Sequence, residues 1–71
     1  MRKHRYRIII SGGLGELGRE AFADFKIEYA DGNTLLTGED LDQAALYNAL
    51  NRILALGLEL VALSRLSEAP A

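Results

Sequence analysis

Six consecutive residues, Gly13-Leu14-Gly15-Glu16-Leu17-Gly18, carry the spacing G-x-G-x-x-G directly after an apolar run. At the end of a strand and the start of a helix, such glycines let backbone amides approach a pyrophosphate at the positive helix end. Asp31 stands near the offset at which an acid would meet a ribose. Two features oppose a dinucleotide site. Asp31-Gly32 is a hairpin signal, which turns the chain antiparallel where a dinucleotide-binding half needs another helical crossover. Seventy-one residues are also too few for a hydride-transfer domain. The simpler expectation is a tight strand-to-helix turn that needs glycine for its backbone angles.

The other reactive side chains are sparse. His4 is the single histidine, and its place beside Arg2, Lys3, Arg5 and Arg7 predicts a solvated position in a frayed arm. Ser11 and Ser64 have no histidine partner to activate them. Glu39, Asp40 and Asp42 are expected to cap a helix and favour its dipole, since a cation site needs more oxygen ligands around a fixed loop. Tyr6, Tyr29 and Tyr47 fit packing positions with a hydroxyl at the rim. No enzyme, metal or cofactor is expected. The basic arm of Arg2, Lys3, Arg5 and Arg7 holds half of the eight Lys and Arg residues. From Ile8 onward four basic residues face ten acidic ones, a net of −6. A basic arm on an acidic body could touch phosphate. The overall charge of −2 and the lack of an aromatic RNA-binding pair make nucleic acid the least favoured partner.

The elements around these residues are legible. Tyr6 to Ile10 is β-branched and apolar, hence a strand. Leu14, Leu17, Ala21, Phe22 and Phe25 have helical spacing, which predicts a short helix over 15–23. Phe25, Ile27 and Tyr29 alternate with polar or small residues, the mark of a half-buried strand. Asp31-Gly32 turns it into a partner strand over Thr34 to Thr37. Asp40, with Gln43 three residues on, predicts the N-cap of a second helix. Its apolar face is Leu46, Ala49, Leu50, Ile53 and Leu54, and Asn48, Asn51 and Arg52 face outward. Gly57 ends it, and Leu58 to Leu66 is the last strand.

Strand, helix, strand, strand, helix, strand predicts an α+β fold: a ferredoxin-like split β-α-β domain, β-α-β-β-α-β, with two helices on one face of an antiparallel sheet ordered 4-1-3-2. Residues 1–66 form the single domain and 67–71 a flexible tail. A chain this small buries only about 60% of the surface its unfolded form exposes. It has no cysteine, so no disulfide or thiolate site stiffens it. Small domains without such staples gain stability by oligomerising. Met1 to Arg7 is basic, but the apolar run after it is too short for a signal peptide. No stretch approaches the ~20 apolar residues of a membrane span. The expected location is therefore cytoplasmic, with no membrane partner.

Asp31-Gly32-Asn33-Thr34-Leu35-Leu36-Thr37-Gly38, then Asp42-Gln43-Ala44-Ala45-Leu46, then Leu56-Gly57-Leu58-Glu59-Leu60 resemble a group of small, uncharacterised single-domain bacterial proteins. Their pattern is D-G-x-T-x-L-x-G, D-Q-A-A-L and L-G-L-x-L. The resemblance covers about half the chain. It implies an intact natural domain and carries over no catalytic residue. A second resemblance is fold-level analogy alone. Ferredoxin-like ligand sensors of the ACT type bind small ligands at a glycine-bearing turn after their first strand, and Ser11 to Leu17 is similar in its glycine and leucine. It implies a ligand turn at Gly12, Gly13, Gly15 and Gly18.

The surface supplies the first-ranked reading. Tyr6, Ile8 and Ile10 alternate to one face and Ile9 to the other. Leu58, Leu60 and Ala62 share one face, and Val61 and Leu63 the other. Strands apolar on both faces are usually covered on both, and helices cover only one. Ile9, Val61 and Leu63 are thus expected to form an open-face patch that buries itself in an interface. The expected function is a small non-enzymatic interaction or regulatory domain, binding a second copy of itself as a homodimer or another protein. A small-ligand sensor comes second and a nucleic-acid binder third.

Overall fold

The computed structural model describes residues 3–66. It has the expected α+β element order: β1 (His4–Ser11), α1 (Gly15–Ala21), β2 (Lys26–Ala30), β3 (Asn33–Leu41), α2 (Gln43–Ala55) and β4 (Leu60–Leu66). The four strands form one sheet in the order β2-β3-β1-β4, with every neighbouring pair antiparallel. Arg2 and the expected tail of Ser67 to Ala71 lie outside the described residues.

The β2–β3 hairpin forms where Asp31-Gly32 predicts it. Asp31 has φ 53° and Gly32 φ 78°, the two successive positive angles of a type I′ turn. Ala30 then faces Asn33, and Tyr29 faces Thr34. The strand continues well past Thr37, the expected end, to Leu41, because it pairs along the whole of β1.

That extension moves the cap of α2. Asp40 is not the N-cap. It lies near the end of β3 with φ 52°, where the register with β1 shifts between His4 and Tyr6. Asp42 caps instead, in an extended conformation, and its Oδ1 accepts from the Ala45 amide at 2.8 Å. Gly57, φ 70°, ends the helix as expected, and the Leu58 amide donates to the Ile53 carbonyl at 3.0 Å.

One core joins the sheet to both helices. Ile8, Ile10 and Leu36 supply the sheet side, and Leu14, Phe22, Phe25, Leu46, Ala49 and Ile53 lie over them. Phe22 and Phe25 meet edge to face, 5.4 Å between centroids. Two expected core leucines instead face solvent, Leu17 at 72% and Leu54 at 75% exposure. In α1 the contact position is taken by Gly18, which is buried against Leu14. Arg52, expected to face outward, bridges the helices. Its guanidinium stacks on the Phe22 ring at 5.4 Å, donates to the Ala21 carbonyl and lies 3.7 Å from Asp24.

Candidate functional site

The glycine turn is held by hydrogen bonds to the β2–β3 hairpin. The Gly12 amide donates to the Gly32 carbonyl at 2.9 Å, and Thr34 Oγ1 donates to the Gly12 carbonyl at 2.6 Å. Each glycine of the expected ligand turn has a measurable local environment. Gly12 and Gly15 have φ of 77° and 72°, angles that carry a steric penalty for other residues. A Cβ on Gly18 would sit 2.8 Å from the Leu14 Cβ. At Gly13 an added Cβ meets nothing within 4 Å. Gly12 and Gly15 are therefore favoured by their backbone angles and Gly18 by its close approach to Leu14. The helix that follows has seven residues, and Leu14 at its N-cap makes no side-chain capping bond.

The face of the sheet away from the helices is partly polar. Residues directly opposite in an antiparallel pair share a face. Lys26 and Arg7 both stand opposite Thr37, and Ser64 stands opposite Arg7. These four make one row across all four strands, on the side opposite Ile8 and Leu36. The next row is Glu28, Leu35, Ile9 and Ala62. Arg5 extends the same face, with its Nε 3.4 Å from Glu39 Oε2. Arg5 and Arg7 thus lie on the open face of β1, the strand position that is the alternative to a phosphate-binding arm, and of the arm residues only Lys3 precedes the strand within the described chain. His4 is also in β1, half-buried, with its ring edge-on to Tyr6 at 6.2 Å.

The expected apolar patch is arranged differently. Ile9 is on the open face, opposite Leu35 and Ala62. Leu63 is not. It stands opposite Ile8 and so belongs to the helix face. The cause is a one-residue irregularity. Ile9 pairs with Ala62 but Ile10 pairs with Leu60, leaving Val61 as the extra residue of a bulge, and each bulge reverses the alternation beyond it. Three exposed aliphatic residues are therefore grouped along β4, a sheet edge, where Leu60, Val61 and Leu63 are 44%, 52% and 40% exposed.

A family model described as a domain of unknown function, DUF8691, matches residues 5–64, from the start of β1 into β4. The chain belongs to this family. No curated protein and no solved structure matches it. The DUF8691 match spans the glycine turn, the polar row and most of β4, so all three surfaces lie within the family's domain.

Chemical capacity at these surfaces follows from the side chains present. Among the described residues no group of three or more His, Cys, Asp or Glu is placed to hold a metal. Ser11 and His4 occupy opposite ends of β1, about 23 Å apart at the rise of a strand. Ser64 faces Arg7, three residues along β1 from His4, about 10 Å by the same rise. Neither serine therefore has the histidine within hydrogen-bond reach. Among the described residues no helix is long and apolar enough to cross a membrane. What the surfaces offer is apolar contact along β4 and cationic, hydroxyl-lined contact on the open face.

Proposed function

We propose that this chain is a small non-enzymatic interaction domain that associates with a second copy of itself through β4. The ferredoxin-like split β-α-β reading belongs to the same proposal, supported by the neighbour order β2-β3-β1-β4 and its antiparallel pairs. The observation that carries the function is the composition of the two sheet edges. β2, one edge, is five residues long and places Lys26 and Glu28 along it, the usual protection against pairing with another chain. β4, the other edge, exposes Leu60, Val61 and Leu63 within four residues. Leucines and valines grouped on a sheet edge mark an interaction surface more strongly than ones scattered over helices. A 71-residue chain without cysteine has little stability to spare, and a two-fold axis lets one apolar strip cover itself.

Light scattering at micromolar to hundred-micromolar concentration tests this. The native chain is expected to run as a dimer. Val61→Asp with Leu63→Asp is expected to dissociate it, because each copy would bury unpaired charge, while circular dichroism keeps the native signal. A native chain that stays monomeric over that range refutes the reading.

A further inference from the structure

We propose that the polar row on the open face of the sheet is a binding site for a phosphate-type oxyanion, held chiefly by Arg7 and Thr37 with Lys26 and Ser64 beside them. The starting observation is that three buried groups on this face, Arg5 Nε, Arg7 Nε and Thr37 Oγ1, lack a hydrogen-bond partner, and that two of them stand directly opposite each other. Thr37 is only 6% exposed, and its Oγ1 is buried without a hydrogen-bond partner. Arg7, directly opposite it across the β1–β3 ladder, has a buried Nε in the same condition. Buried donors are almost always paired, and each unpaired one costs the desolvation of its group. The threonine hydroxyl could accept from the guanidinium, but the two make no hydrogen bond to each other, which leaves both free to donate to a single acceptor with several oxygens.

The surrounding charges agree. Lys26 flanks Thr37 on its other side, and Ser64 flanks Arg7, so donors come from four neighbouring strands. Arg7 and Lys26 make no ion pair within the described residues, whereas Arg5, one step along the same face, has its charge countered by Glu39 at 3.4 Å although its Nε, like that of Arg7, makes no hydrogen bond. The remaining carboxylate on this face near the row is Glu28, which stands opposite Leu35 in the next row. Neighbouring strands lie about 4.8 Å apart, so the central pair of Thr37 and Arg7 matches one tetrahedral anion, and Lys26 and Ser64 stand one strand further out on either side. A guanidinium presents paired donors in a fork that fits two phosphate oxygens, and charge-assisted bonds of this kind are the strong ones. Thr37 Oγ1 is buried, so neighbouring side chains on this face must move aside for the anion to reach it.

The chemistry recognised is a phosphate group, whether on a small phosphate ester or along a nucleic-acid strand, and the experiment separates these sources. Native chain and three variants, Arg7→Gln, Thr37→Val and, as a control, Arg19→Gln, are titrated with sodium phosphate at fixed ionic strength. Amide chemical shifts and the melting temperature are followed. A short single-stranded RNA is titrated in parallel. The expected result is saturable shift changes centred on residues 7, 26, 37 and 64, with millimolar affinity for inorganic phosphate. Arg7→Gln weakens it about tenfold or more, Thr37→Val weakens it several-fold, and Arg19→Gln leaves it unchanged. If RNA binds more tightly than phosphate and depends equally on Arg7, the source is a strand. If phosphate binds as tightly or more tightly, it is a small ester. No saturable phosphate response, or one that survives Arg7→Gln and Thr37→Val in folded protein, overturns the proposal. Shift perturbation reads binding directly, so a variant that loses stability without losing its shift pattern also counts against it.

Discussion

Replacing Asp42 by alanine should destabilise the domain, and replacing Asp40 by glycine should not. Asp42 Oδ1 accepts from the Ala45 amide at 2.8 Å, and the residue is half-buried at the start of α2. Removing the carboxylate leaves a first-turn amide without its partner and removes an anion from the positive helix end. Losing an N-cap of this type costs about 1 kcal/mol. In a domain of this size that corresponds to a fall of roughly 4–8 °C in melting temperature. Asp42→Asn retains an acceptor oxygen and should recover most of the loss, because asparagine caps nearly as well. Asp40 presents the opposite case. Its φ of 52° is a left-handed angle that glycine adopts without steric cost. Asp40→Gly should therefore leave the melting temperature level or slightly raised. Thermal unfolding followed by circular dichroism reads all three variants. The reasoning fails if Asp42→Ala melts within a degree of the native chain, or if Asp40→Gly loses as much as Asp42→Ala.

Three further substitutions test the packing. A Cβ at Gly38 would lie 2.7 Å from Leu41 Cδ1 and 2.7 Å from Phe25 Cε2, so Gly38→Ala should cost about 1–3 kcal/mol by overpacking, while Gly13→Ala, with open space around it, should be close to neutral in denaturant unfolding. Arg52→Met loses the guanidinium that stacks on Phe22 and donates to the Ala21 carbonyl; it should cost about 1.5–3 kcal/mol, the range of a hydrogen bond involving a charged group, and an unchanged urea midpoint would contradict the bridging role.

Much of the fold is written in local chemistry. Asp31-Gly32 can hardly make anything but a tight hairpin between alternating segments, and Gly57 after a leucine-rich helical stripe is a direct stop signal. The errors arise where tertiary pairing decides. Asp40 and Asp42 are both competent caps. The choice falls to Asp42 because β3 stays paired to β1 as far as Leu41, information held in β1 rather than near the helix. Leu17 and Leu54 fit the helical period, yet period alone does not fix where an apolar stripe ends. In α1 the close approach at Gly18 places Leu17 outside the contact. The apolar patch departs from strict alternation for one reason. Counting in twos along the last strand assumes an unbroken ladder, and the extra residue at Val61 moves Leu63 to the other face. The polar row was hidden because Lys26, Thr37, Arg7 and Ser64 are far apart in sequence and converge only through the register of three strand pairs.

The central claim is that two copies meet along β4, and hydrogen exchange measured against protein concentration tests it at the place where it is made. Exchange of amides in Leu60–Leu66 should slow as the native chain is raised from low to high micromolar concentration, while amides of Lys26–Ala30 on the opposite edge keep their rates. Val61→Asp with Leu63→Asp should abolish the concentration dependence. Exchange in Leu60–Leu66 that is independent of concentration, or protection that grows on Lys26–Ala30 instead, would contradict the account.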